Sequence, residues 1–224
     1  MVKIVYKNKS VVIILKPIGL SSQPDADSLT DAISETALAL STLGENSVLY
    51  PVHRLDKVVS GLLVIARTKS AAAALSSLVS SDGIGKEYFA VVEGKCAGSV
   101  MEDYLLKSAA LGKATISSPS AKGAKPAVLT AESMATVKSE QGERTLLKIT
   151  LKTGRFHQIR AQLSSRGCPI VGDKKYGAKD YLCRTPALFA HMLDFTLGEE
   201  KILAKELPEL SKYPWNLFPE DCYK

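Results

Sequence analysis

His53-Arg54-Leu55-Asp56-Lys57-Val58-Val59-Ser60-Gly61-Leu62-Leu63 is the stretch on which the reading of this chain turns. It sets one carboxylate, Asp56, beside two cationic or potentially cationic groups, Arg54 and His53. It then passes through Gly61 into the apolar run LLVIA, which has the composition of a buried strand. A nearby arginine favours the charged form of a carboxylate. The same pattern also suits an ordinary surface ion pair, worth about 0–1 kcal/mol, so its meaning depends on what surrounds it.

Working outward, residues 11–16 form a β-branched run closed by Pro17 and Gly19, the pattern of a buried strand entering a turn. Residues 28–40 carry Leu29, Ile33, Ala37 and Leu40 at helical spacing, with Asp31 in the first turn, and residues 48–55 read as strand or loop. Downstream, residues 69–80 are an Ala/Leu-rich helix that ends before Asp82-Gly83, and residues 87–92 are an apolar strand stopped by Gly94. Residues 107–125 are rich in Ser, Ala, Gly and Lys, which predicts weakly structured connections or a hairpin. Residues 144–152 alternate as a half-buried strand, and Gly154 ends it before FHQIRAQLSSRG, whose Phe156, Ile159 and Leu163 share one helical face. The loop CPIVGDKKYG, the strand LFAHMLDF and a Pro-containing tail complete the chain. With no internal repeat and no long linker, the fold class expected is α+β: a mixed, largely antiparallel central sheet with flanking helices and loops.

The 224 residues suit a single domain over 1–224, with no separate N-terminal module. Apolar residues make up 46% and charged residues 23%, which excludes a mainly disordered chain. The longest apolar run is five residues, Val11 to Leu15, far below the roughly 20 that span a bilayer. No targeting pattern opens the sequence, so an intracellular, cytoplasmic protein without a membrane partner is expected. Cys96, Cys168, Cys183 and Cys222 are scattered without a CxxC pair, which speaks against a zinc module or a secreted disulfide framework. The net charge of +6 permits a polyanionic partner without requiring one.

Two further stretches carry chemistry. Thr153-Gly154-Arg155-Phe156-His157-Gln158-Ile159-Arg160 puts basic residues at a strand-to-helix junction, where they spread over two faces. One face suits a carboxylate and the other a phosphate, and a helix start favours anions; a merely basic helix end has the same pattern. Lys86-Glu87-Tyr88-Phe89-Ala90-Val91-Val92-Glu93-Gly94 sets a tyrosine inside an apolar strand, where packing with a satisfied hydroxyl is the ordinary role.

Together the three stretches resemble the RNA pseudouridine synthase family, in particular its branch bearing HRLDxxTSG. LKPIGL resembles that branch's NKPxGL, and GCPIVGDKKYG its GxPIxGDxxYG, so the resemblance runs in order over roughly residues 4 to 196. It implies the synthase fold and isomerisation of uridine to pseudouridine in structured RNA, rRNA or tRNA, with no metal, no cofactor and no obligatory protein partner. It further implies that Asp56 is the catalytic aspartate, Tyr88 the active-site tyrosine, and Arg155 the basic residue that ion-pairs with the aspartate. Arg54 matches the arginine that fills the stack vacated by the target base. His53, His157, Gln158, Arg160, Lys174 and Lys175 are the remaining candidates for RNA contact, and the lysines of residues 107–125 extend that basic surface. Val59 departs from the family's Thr in the TSG triplet, which removes a local hydroxyl while Ser60 and Gly61 remain.

Three rival readings compete. A metal site of His53, His157, His191 and Asp56 lacks any HxH or HxxxH pair. A hydrolase with an aspartate nucleophile would need a motif such as GxSxG, which is missing from the sequence. A non-catalytic RNA-binding protein that retains the synthase fold shares every feature except turnover.

Overall fold

The structure, a computed structural model, describes residues 2–24 and 28–224. In chain order the principal elements are β1 (Lys3–Lys7), β2 (Val11–Lys16), α1 (Ala32–Ser41), β3 (Tyr50–Pro51), β4 (Ser60–Ala66), α2 (Lys69–Ser80) and β5 (Gly85–Glu93). They continue with β6 (Ser99–Ser108), β7 (Lys113–Ser117), β8 (Lys125–Ser139), β9 (Gly142–Leu151), α3 (Gln158–Ser165), β10 (Leu188–Leu197) and β11 (Glu200–Lys205). The class is α+β with mostly antiparallel strands, as the residue pattern predicts. The chain divides into two compact units, residues 1–86 with 190–206 and residues 87–189 with 207–224.

In the first unit the strands run β1-β2-β4-β10, with β11 added to β10 and the two-residue β3 to β4. β2 pairs antiparallel with β4 from Val11–Ala66 to Lys16–Gly61. Val11, Val12, Ile13 and Ile14 are all buried, so both faces of β2 are covered. That is why this strand reads as an unbroken apolar run instead of alternating. One face joins Leu62, Val64, Leu75, Ile84, Leu193, Phe195 and Ile202 in a core that α2 closes through Ala71 and Leu75. α2 spans the predicted residues, because the Thr68 hydroxyl accepts the Ala71 N–H at its start and Asp82 turns left-handed after its end.

α1 differs from its prediction in start and in face. Asp31 is its N-cap, the carboxylate accepting the N–H groups of Ile33 (2.8 Å) and Ser34 (3.2 Å). A cap lies outside the helix it starts. The buried face is therefore Ala32, Thr36, Ala39 and Leu40, while Leu29, 109% exposed, precedes the helix altogether.

The second unit orders its strands β5-β9-β8-β6-β7. Part of residues 107–125 is the predicted hairpin: β6 and β7 pair from Tyr104–Ser117 to Ser108–Lys113. β8, fifteen residues long, is absent from the sequence reading because its Ala, Thr and Ser residues give little apolar alternation; it pairs with β9 through a bulge at Ser133/Ala135. Among the described residues, no helix is long and apolar enough to cross a membrane.

Candidate active site

In the first unit the turn carrying Asp56 hangs between β3 and β4. The Val59 N–H donates to the Asp56 carbonyl at 2.9 Å, closing a tight turn with the Leu55 and Val59 side chains buried beneath it. Asp56 itself is half-buried, whereas Arg54 and Lys57 are exposed, the Lys57 Nζ donating to the Ser28 hydroxyl at 2.9 Å. The loop after β2 grips this turn from both sides. The Gly19 N–H donates to the Lys57 carbonyl at 2.8 Å, and the Ser22 hydroxyl engages both the N–H and the carbonyl of Leu55.

Lys16, the last residue of β2, is 0% exposed. Its Nζ donates to the carbonyls of Pro17 (3.0 Å) and Leu20 (2.8 Å). Burial pushes its pKa down to about 8, and the charge of Asp56 opposes that fall. Lys16, the lysine of LKPIGL, is thus a cationic neighbour of Asp56 that the motif alone does not single out. A lysine closing an apolar strand before Pro was the signal available.

His53 is placed differently from a phosphate-binding cation. Its Nε2 accepts the Val64 N–H at 3.1 Å, which requires a neutral imidazole, and burial pushes its pKa down to about 3. It fastens the turn to β4. Gly61, at the start of β4, has φ +124°, and a Cβ there would lie 2.4 Å from the backbone of Ala190.

In the second unit, Tyr88 is buried in the middle of β5. Between β9 and α3 the chain makes a narrow turn organised by Gln158. Its Oε1 accepts the Thr153 hydroxyl (2.8 Å) and the Arg155 N–H (3.0 Å), and its Nε2 donates to the Val128 carbonyl (3.1 Å). The Arg155 Nε donates to the Pro126 carbonyl at 2.9 Å, which orients the guanidinium. His157 is left-handed at φ 52°, ψ 26°, and its ring stacks on Phe156 with centroids 3.8 Å apart. Lys107 Nζ lies 4.8 Å from the Phe156 ring centre.

The candidates for RNA contact therefore separate by exposure. Gln158 and Arg160 are 3% and 4% exposed and bonded inside the fold, so they shape the turn and present little to a ligand. Sequence spacing had suggested outward basic faces, but Arg160 lies on the inner side of α3. His157 Nδ1 is 3.0 Å from the Tyr176 hydroxyl, and its pKa is pushed down to about 3 by burial and by the charges of Arg160 and Lys175. Lys174 and Lys175 are exposed, and Lys175 Nζ also donates to the Gly112 carbonyl at the tip of the β6–β7 hairpin (3.1 Å).

His191 Nδ1 lies 2.6 Å from the Glu206 carbonyl. Among the described residues, no three or more His, Cys, Asp or Glu side chains are grouped so as to hold a metal ion.

Residues 10–165 match the family model described as RNA pseudouridylate synthase. Ribosomal large subunit pseudouridine synthase C of Rickettsia felis is 31% identical over 221 residues, covering 95% of this chain and 68% of that protein. tRNA pseudouridine synthase C of Haemophilus ducreyi is 31% identical over 210 residues, covering 86% of this chain and 84% of that one. Among solved structures, human RNA Pseudouridylate Synthase Domain Containing 1 superposes with a TM-score of 0.78 at 18% identity, over 99% of this chain and 87% of that chain, a likeness of fold.

Proposed function

We propose, from the premise that this chain belongs to the RNA pseudouridylate synthase family, that it converts uridine to pseudouridine in structured rRNA or tRNA with Asp56 as the essential carboxylate. The relatives named above act on large-subunit rRNA and tRNA by their names, which supports those two classes of substrate.

The observation that carries the proposal is the mounting of Asp56. Its side chain stands on a turn whose neighbouring backbone groups at Leu55 and Lys57 are both hydrogen-bonded to the loop after β2, with the Lys16 charge nearby. A carboxylate whose backbone is held in that way starts from a fixed position, which a reaction at a single glycosidic carbon requires.

The reaction breaks the bond from ribose carbon 1′ to uracil nitrogen 1, rotates the base and forms the bond from carbon 1′ to carbon 5; carbon 5 then loses its proton to solvent while nitrogen 1 takes one up, so no net proton is gained or lost. It is redox-neutral and consumes no water. An ionised carboxylate serves as nucleophile or as base, and no metal, cofactor or second protein is needed. Tyr88 and Arg155 enter as further catalytic candidates through the family pattern. A target uridine must leave its stack, at a cost of a few kcal/mol, and the exposed Arg54 is suited to fill the gap. Lys174, Lys175 and the lysines of the β6–β7 hairpin would hold phosphate.

The loss of the carbon 5 proton supplies the test. Unmodified rRNA and tRNA transcripts carrying tritium at uridine carbon 5 are incubated with the purified protein in a chelating buffer. Tritium released to water in step with pseudouridine is the expected result; RNA bound without release on either class of transcript contradicts the proposal.

A further inference from the structure

We propose that Ser22 is a positioning residue for Asp56, an assignment that rests on the catalytic reading of Asp56 given above. Ser22 lies 33 residues upstream of Leu55 and is 4% exposed. Its Oγ accepts the Leu55 N–H at 2.9 Å and donates to the Leu55 carbonyl at 2.8 Å. A hydroxyl has one donor and two acceptor positions, so a single side chain satisfies both backbone groups of the residue before Asp56, much as a neighbouring strand would.

The residue after Asp56 is fixed independently, by the Gly19 N–H on the Lys57 carbonyl at 2.8 Å. The carbonyl of Asp56 accepts from Val59. With the backbone held before, at and after the aspartate, the carboxylate retains only its side-chain torsions. The clamp is in turn anchored on the start of α1. Ser21 bridges Asp31, the Ala32 N–H donates to the Ser21 carbonyl at 2.8 Å, and Asp31 is buried as the helix cap. The path from α1 through residues 21 and 22 to residue 55 transmits the helix's fixed position to the turn. Packing alone does not account for a serine here: an apolar residue of similar size would fill the space and leave the buried Leu55 groups without partners.

A misplacement of about 1 Å at a reacting group costs on the order of 10²-fold in rate, so the expected signature is a turnover defect with binding retained. Ser22→Ala, Ser22→Thr and Ser22→Cys are compared with the parent in single-turnover pseudouridine formation, RNA affinity, thermal unfolding and amide exchange at Leu55. Ser22→Ala is expected to slow the chemical step about 10- to 100-fold with RNA affinity within about twofold, and to speed Leu55 exchange. Ser22→Thr, which keeps the hydroxyl, restores most of the rate. Should Ser22→Ala fail to fold, Ser22→Cys, of similar volume and weaker hydrogen bonding, takes its place with the same expected direction.

A rate equal to the parent's in a folded Ala or Cys variant overturns the assignment, as does unchanged Leu55 exchange. Accelerated Leu55 exchange with a parent that makes no pseudouridine locates the failure in the catalytic reading of Asp56, and the positioning role falls with it.

Discussion

Arg160 holds Asp173 through two parallel hydrogen bonds, Nε to Oδ2 at 2.7 Å and Nη2 to Oδ1 at 2.8 Å, with both side chains buried. This pair ties the first turn of α3 to GDKKYG, two stretches that the sequence presents as separate motifs. The Arg160 guanidinium also lies 5.0 Å from the centre of the Tyr176 ring, and the Tyr176 hydroxyl bonds the backbone of Ala114 in β7. Removing one partner of such a pair strands a buried charge. Asp173→Ala is therefore expected to destabilise the protein by about 3–5 kcal/mol in urea unfolding. The double variant Asp173→Leu/Arg160→Met should lose less than the single one. A single variant within about 0.5 kcal/mol of the parent would show that the pair does not carry this role.

Gly61 admits no side chain. A Cβ would sit 2.4 Å from both the nitrogen and the oxygen of Ala190, and φ of +124° strains any L residue. Gly61→Ala should cost on the order of 3 kcal/mol or more, read as a lower midpoint in chemical denaturation. An unchanged midpoint would mean that β4 and β10 separate at little cost.

Much of this was legible in the residues, for identifiable reasons. β2 and β4 announce themselves because strands covered on both faces need unbroken apolar runs. The glycine of the SGLL segment is fixed by backbone contact with a strand more than a hundred residues away, so its presence was visible while its cause was not. β8 was hidden, since small polar residues half-exposed on a long strand leave no period to read. The buried face of α1 differs from the spacing of Leu29, Ile33, Ala37 and Leu40 because Asp31 caps the helix and lies outside it. At the candidate site, Asp56 stands out through its motif, whereas the contacts of Ser22 and Lys16 run through a loop that no local pattern encodes. Gln158 and Arg160 were legible as polar, but only the fold shows that they turn inward.

Lys16 makes stability depend on pH in a stated direction. Burial lowers its pKa from 10.5 to about 8, so it is the charged form that the fold disfavours. Below pH 8 both folded and unfolded chains hold the proton, and the penalty is on the order of 3 kcal/mol. Between about 8 and 10 the unfolded chain keeps the proton that the folded one has released, so this contribution relieves the penalty as pH rises. Unfolding free energies measured from pH 7.5 to 10 should rise relative to those of Lys16→Met. Parallel curves for the two proteins would contradict the assignment.

Exposed Lys174 is suited to phosphate contact without an internal bond to break. Lys174→Ala should weaken binding to every RNA tested and reduce the slope of log affinity against log salt by about 0.7–0.9, leaving unfolding within about 0.5 kcal/mol. Unaltered affinity and slope in fluorescence titrations over 50–200 mM salt, on the order used for such contacts, would remove this lysine from the RNA surface.

The central claim is that Asp56 performs uridine isomerisation, and the most direct test compares the parent with Asp56→Asn on unmodified rRNA and tRNA, mapping pseudouridine chemically. The expected result is pseudouridine at defined positions with the parent and a rate at least about 10²-fold lower with the variant, while both bind RNA alike. Equal product from both proteins would contradict the role of Asp56, and salt-sensitive RNA binding without product from either would contradict catalysis itself.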